Sequence, residues 1–271
     1  MSLPRRRPAR PTPSLLAIRK PNSRMETVVL VGLSIIAPLA IWWGLSISGV
    51  VEPARYLPTP AATFTAGVEM ARSGQLFTDA WASLQRVLAG FGLAIAVSVP
   101  LGLVMGTFRS GQSLFEPVLG LLRYLPASAF IPLLIIWLGL GEPSKVTLLF
   151  LGTVFFNTLM TADVVRSIPT ALIDVSYTLG ARTGEVVRKV ILPHSLPGMI
   201  DAVRVNAAAA WNFVVVAELI AADSGLGYRI VRLQRFTQVD RIFAVLAVIA
   251  LIGLAIDLLL RLARDRIGRW V

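Results

Sequence analysis

A chain of 271 residues that is 55% hydrophobic and only 15% charged is too apolar along its length for a soluble domain of ordinary composition. Its formal net charge of +11 would suggest nucleic acid in a soluble protein, but basic residues gather at both ends of the sequence and need no nucleic-acid partner. Cysteine is absent, which excludes a disulfide framework and cysteine-ligated metals and leaves a polytopic membrane protein as the class to develop.

Residues 1–26 carry Arg5, Arg6, Arg7, Arg10, Arg19, Lys20 and Arg24 among prolines, so a disordered basic arm beside anionic lipid is expected there. Crossing a hydrocarbon core of about 30 Å takes about 20 apolar helical residues. The run 28–50 passes that test; it starts too late, is too long and lacks the small-residue cleavage site of a removed signal, so it is read as the first span. Runs at 87–108, 146–165, 199–222 and 242–260 also pass. A further run, 114–140, is interrupted by "RYLPASAFIP" and is read as one kinked span or a span preceded by a broken half-helix.

Six spans return the chain to its starting side. The basic arm and Arg261, Arg264, Arg266 and Arg269 after the last span then place both ends in the cytoplasm by the positive-inside rule. The domain reading is a membrane domain over 27–261 with a short basic tail at 262–271. Arg229, Arg232, Arg235 and Arg241 run against the rule, since they precede the last span on the outer side.

Little in the chain could carry catalysis. His194 is the one histidine, and no carboxylate stands at a helical spacing from it. Lys20, Lys145 and Lys189 follow Arg, Ser and Arg, so no GxxxxGK[ST] phosphate loop exists and any ATP is bound by another chain. Glu218, inside a span and seven residues after Trp211, is expected to face the bundle interior, as a structural pair or in a pathway or gate. Asp163, Arg204, Arg86 and Arg123 stand nearer span ends and are expected to snorkel to the interface. The run "NAAAAWN" at 206–212 suits close helix packing, including a pair interface.

The most patterned polar segment, 174–198, lies between two spans. Pro169 suits a helix start and Gly180 its left-handed stop at the end of 169–179. Thr183 would cap a second short helix, with Glu185 in its first turn, Lys189 one turn on, and Pro193 ending it. Val186, Val187, Val190 and Ile191 share one face, while Arg182, Glu185 and Lys189 share another. Such an elbow is either a solvated connector or a docking surface, where Gly180, Ala181, Thr183 and Gly184 would admit a partner close to the backbone.

At these residues the sequence resembles the permease subunits of ATP-binding cassette importers, whose signature reads EAA, three residues, G, nine residues, I, one residue, LP. Asp174, Val175 and Ser176 stand at EAA, then Gly180, Val190, Leu192 and Pro193 follow at matching spacing, departing at the EAA positions and at Val190. The likeness covers 56–270. "YLPTP", "RYLPASAFIPLLIIWLGLGEPSK" at 123–145 and "AELIAADSGLGYRI" at 217–230 are similar to the branch importing nitrate, sulfonates and taurine, or bicarbonate.

The resemblance implies an all-α polytopic membrane protein of type I, MetI-like architecture in a bacterial inner membrane. It implies no enzyme activity and no cofactor in this chain, ATP and Mg being held by two partner ATPase subunits. The other implied partners are a second copy of the permease and a periplasmic or lipid-anchored binding protein. Coupling to the ATPases would fall to Asp174, Ser176, Thr178, Leu179, Gly180, Ala181, Arg182, Thr183, Gly184 and Glu185, with Pro193 and Pro197 stiffening the exit. Phe130, Trp211 and Glu218 are the pathway or gate candidates, and a small anion or zwitterion such as an aliphatic sulfonate, taurine or nitrate is the expected substrate. The alternative is a self-sufficient secondary transporter or channel, which commonly shows paired broken helices, whereas only one broken segment, near Pro126 and Pro132, is visible.

Overall fold

The computed structural model describes residues 22–49 and 56–268, so most of the expected basic arm lies outside the described residues. Every regular element among them is helical. The first, α1 (Arg24–Ile47), opens on a capping box: the Glu26 N–H donates to Ser23 Oγ at 3.2 Å and the Ser23 N–H to Glu26 Oε2 at 2.8 Å. Near its end, Trp42 Nε1 donates to the Pro58 carbonyl at 2.9 Å and Ser46 Oγ to the Leu57 carbonyl at 3.0 Å, which fastens the following segment to the helix. These residues, up to Ala62, form one compact unit, and Thr63 onward forms another.

Helices α3 (Gln75–Thr107), α6 (Glu142–Arg166), α9 (Leu192–Ala221) and α11 (Val239–Ile267) are the long elements of the second unit. With α1 they supply the five helices long and apolar enough to cross a membrane, α9 doing so together with the short segment before it. A sixth crossing is available from α4 (Arg109–Leu122) followed by a 3₁₀ turn (Ala127–Phe130) and α5 (Ile131–Leu138), two pieces bent by 78° at residues 123–126. The interruption read in "RYLPASAFIP" is therefore a sharp break.

The core is organised around α6, the most buried of the spans. A Cβ added to Gly90 would stand 2.6 Å from Leu149 Cβ; at Gly102 it would meet Thr161 Cβ at 2.6 Å, and at Gly106 Val165 Cβ at 2.5 Å. Ser98 and Asn157 share the same offset of 59 residues and are joined by a 2.5 Å hydrogen bond. A constant offset means that α3 and α6 run parallel in fixed register, their backbones brought together by absent side chains. Helix α9 runs antiparallel to α6: Phe213 lies against Gly152, Asn206 Nδ2 reaches Asn157 Oδ1 at 3.4 Å, and Val164 lies against Gly198. Helix α11 then leans on α9, accepting the Trp211 indole N–H at the Ile249 carbonyl at 3.0 Å.

Besides the elbow, two short helices lie outside the expected spans. They are α2 (Pro60–Arg72), whose start is capped by Thr59 Oγ1 accepting the Ala62 N–H at 3.2 Å, and α10 (Leu226–Arg235). The last helix runs to Ile267, past the expected end at 260 and into the tail read at 262–271.

If the α3–α6 register depends on absent side chains, Gly102→Val should cost about 1–3 kcal/mol by overpacking. Gly92→Val, where nothing lies within 4 Å of the added Cβ, is the matched control. Thermal unfolding in neutral detergent should show a lower midpoint for the first and an unchanged midpoint for the second.

Candidate functional site

At one end of the bundle, α6 leads into α7 (Thr170–Thr178). Pro169 occupies the cap position, one ahead of the first helical residue. The helix closes as a Schellman turn: the Gly180 N–H donates to the Tyr177 carbonyl at 2.9 Å and the Ala181 N–H to the Ser176 carbonyl at 3.0 Å. Gly180 has φ of +83°, the left-handed region that only glycine enters without strain.

The next helix, α8 (Thr183–Val186), has Arg182 at its cap where Thr183 was expected, and Glu185 Oε2 accepts the Arg182 N–H at 3.1 Å. Lys189 Nζ meets Glu185 Oε1 at 2.9 Å, as the spacing predicts. Pro193 does not end this helix. A π-turn at Val187–Ile191 leads directly into α9, the Leu192 N–H donating five residues back to the Val187 carbonyl. The wider turn relieves the clash that the Pro193 ring would make with the carbonyl four residues earlier, so the chain stays helical through Pro193, and Pro197 lies inside α9 as well.

The two arms of this elbow are held differently. Val186, 1% exposed, and Ile191 are buried against Val165 and Ile168 at the end of α6 and Met199 in α9. By contrast α7 has no buried residue, and Leu172, Val175 and Tyr177 are exposed, with Leu179 82% exposed. Asp174, Ser176, Thr178, Leu179, Gly180, Ala181, Arg182, Thr183, Gly184 and Glu185 all fall on this one exposed or half-exposed elbow. The hydroxyls of Ser176 and Thr178 turn back onto their own helix, donating to the carbonyls of Leu172 and Asp174.

At the opposite end lies a buried charge cluster. Its hub is Arg86, 5% exposed, which corrects the expectation that it snorkels to the interface. Its Nε and Nη2 grip both carboxylate oxygens of Glu142 at 2.7 Å, Nη1 donates to Glu218 Oε1 at 2.6 Å and to the Ser224 carbonyl at 2.7 Å, and Nη2 also reaches Ser224 Oγ at 3.0 Å. All five guanidinium N–H groups are thereby used. Glu218, 1% exposed, also accepts from Ser83 Oγ at 2.8 Å and from the Gly227 N–H at 2.9 Å. One helical turn back, Asp79 accepts the Gly225 N–H at 3.1 Å and Arg229 Nε at 2.5 Å. Gly225 has φ of +114°, and a Cβ there would run into the Glu218 carboxylate.

With every carboxylate oxygen of Asp79, Glu142 and Glu218 accepting a hydrogen bond, this cluster braces α3, α6, α9 and the turn into α10. Sequence reasoning singled out Glu218 but missed its partners. The signal available was Asp79, Ser83 and Arg86 at i, i+4 and i+7 on one face of an apolar helix. Of the three pathway candidates, Phe130 ends the 3₁₀ turn and packs on the main apolar cluster that contains Trp211, Trp211 also joins α9 to α11, and Glu218 belongs to the brace. Beside Trp211, a crevice of about 260 Å³ between α9 and α11 is bounded at one end by the Arg204–Asp257 pair, 2.5 Å apart.

Residues 98–271 match the family model described as the binding-protein-dependent transport system inner membrane component. A probable ABC transporter permease protein of Brucella melitensis is 37% identical over 249 residues, covering 92% of this chain and all of that protein. The taurine transport system permease protein TauC of Escherichia coli is 32% identical over 258 residues, covering 93% of this chain and 92% of TauC. Among solved structures, an inward-facing conformation of the MetNI methionine ABC transporter superposes with a TM-score of 0.66 at 20% identity, over 73% of this chain and 99% of that one. At that identity the likeness speaks for the fold.

Removing one partner of the brace strands a buried charge, so Glu218→Ala should cost about 3–5 kcal/mol. Arg86→Lys should not rescue the brace, because three ammonium donors cannot replace a five-donor fork. Gly225→Ala should destabilise through both its φ and the Glu218 contact. All three should lower the unfolding midpoint in detergent, and a wild-type midpoint for Glu218→Ala would show that the cluster holds nothing together.

Proposed function

The chain belongs to the family of binding-protein-dependent transport system inner membrane components and is a permease subunit of a type I ATP-binding cassette importer; from that membership we propose that it works as one of a pair, seating its elbow on cytoplasmic ATPase subunits. The elbow end of the bundle is then cytoplasmic and the brace end faces outward. A binding protein delivers the substrate from outside, and ATP and Mg belong to the ATPases. The likeness to a taurine permease supports a small anion or zwitterion as cargo, an aliphatic sulfonate or taurine above all.

One observation carries this reading: α7 leaves Leu172, Val175, Tyr177 and Leu179 uncovered while the adjoining arm is clamped through Val186 and Ile191. An apolar helix face in water at the end of a polar hinge is unfavourable unless a partner covers it. The clamped arm is what makes docking useful. A push on α7 turns about Gly180, and because α8 is continuous with α9, the displacement passes into a span instead of being lost in a loop. Closure of two ATPases on ATP would in this way move both elbows and switch the pathway between inward and outward access. Asp174, Thr183 and Gly184 stand exposed on the same surface as contacts for the ATPase rim.

Native cysteine is absent, so single cysteines at Ala181 and Gly184 give a clean cross-linking test against a cysteine in the cleft of the co-expressed ATPase. A link whose yield changes with ATP is expected, and absence of a link in membranes that still transport would overturn the coupling assignment. Leu179→Glu should reduce transport and permease-dependent ATP hydrolysis by roughly tenfold or more while leaving the unfolding midpoint unchanged, as expected for loss of an interface anchor.

A further inference from the structure

Four arginines sit where the positive-inside rule disfavours them, in the brace-end segment before the last span. Two have partners of their own: Arg229 is paired to Asp79 at 2.5 Å, and Arg241 lies 3.6 Å from Glu69. Among the described residues, Arg232 and Arg235 have no such carboxylate. Helix α10 separates the two classes by face. Leu226, Arg229 and Leu233 point into the bundle and are buried, whereas Tyr228, Val231, Arg232 and Arg235 share the opposite face at i, i+3, i+4 and i+7.

That opposite face lines a cavity of about 480 Å³ between α10 and the end of α9. Its walls combine two guanidinium groups and the Tyr228 phenol with an apolar lining from Leu219, Ile220 and Val231. Glu218 borders the cavity, but its charge is already matched by Arg86 and its oxygens by Ser83 and the Gly227 N–H, so it does not neutralise the two arginines. Like charges three residues apart on a helix repel, and an anion between them converts that repulsion into attraction.

We infer that this cavity is an outward-facing subsite for an organic anion, its sulfonate or carboxylate head held by Arg232 and Arg235 and its compact apolar body lying on Leu219, Ile220 and Val231. The assignment rests on the importer reading for the side of the membrane it faces, and it puts an anion-selecting step in the permease itself, ahead of the spans. The brace has a part in this: by pinning Gly225, Leu226 and Gly227 it fixes the angle at which α10 presents the two guanidinium groups.

The test uses the full chain with Val231→Cys as its one cysteine, reconstituted in phosphatidylcholine nanodiscs, with the rate of N-ethylmaleimide modification as readout. Hexanesulfonate should slow modification by roughly fivefold or more at saturation, following simple mass action. Hexyltrimethylammonium, with the same apolar body and the opposite charge, should not. Adding Arg232→Gln and Arg235→Gln should abolish the protection without changing the unprotected rate or the elution profile, and the two Lys replacements should retain part of it. Equal protection by the cation, or none by the sulfonate in monodisperse protein, would overturn the inference. So would protection that appears only when phosphatidylglycerol is added, since the cavity would then be a lipid-headgroup site. Protection with the elbow cross-link lost would sustain the subsite and sink the coupling assignment, whereas a cross-link without protection would do the reverse.

Discussion

A guanidinium group carried into a membrane-spanning bundle has no water to fall back on, so each of its N–H groups must find an acceptor inside the protein. Arg86 meets that requirement only when Glu142 at the start of α6, Glu218 near the end of α9 and Ser224 in the following turn are all in place. The brace is therefore conditional on tertiary structure: three elements far apart in sequence must converge before any one of the charges is acceptable. Partial assembly leaves a stranded ion, which is far worse than no ion at all. Two glycines follow directly from this demand. Gly225 makes room for the Glu218 carboxylate, and a Cβ at Gly227 would press on the Val215 carbonyl at 2.6 Å.

The same economy of space governs the interior. Between lipid-facing surfaces there is little hydrophobic gain in bringing helices together, so close backbone approach and buried hydrogen bonds carry more of the association. Gly90, Gly102 and Gly106 on α3, Gly152 on α6 and Gly198 on α9 supply that approach, and the Ser98–Asn157–Asn206 chain adds polar links across all three helices. The two ends of the bundle then differ in kind. At the brace, nearly every polar atom is answered from within; at the elbow, polar and apolar groups alike are left facing out, which is the condition of a surface that another chain completes.

Much of this was legible in the sequence. Span length and apolar content located every long helix, because the hydrocarbon core sets a minimum that loops do not meet. The elbow was legible because Gly180 and the Glu185–Lys189 pair act locally, through φ and through i, i+4 contact. Local rules also account for the misses. Reading Pro193 as a stop assumes an uninterrupted α-helical register, which the π-turn just before it breaks. Helices α2 and α10 are short and half polar, so no span criterion finds them. Arg86 looked like an interfacial residue because its carboxylate partners stand 56 and 132 positions away, and no local pattern encodes those distances.

Helix α9 is where the two ends meet. Its 30 residues, about 45 Å of helix, follow without a break from the clamped arm of the elbow and end in the brace at Glu218. The interruptions along that path, the π-turn at 187–191 and Pro197, both fall in its elbow-side part. Beyond Pro197 the helix contains no proline, and it is locked to α6 through Asn206 and Phe213 and to α3 through Glu218. Bending is thus confined to the neighbourhood of the elbow, and the rest of α9 can move only with the body it is fastened to. An elbow displacement that reached it would tilt α3, α6 and α9 together, so a change of access in a pair of such chains would arise between the two bodies and not within either one.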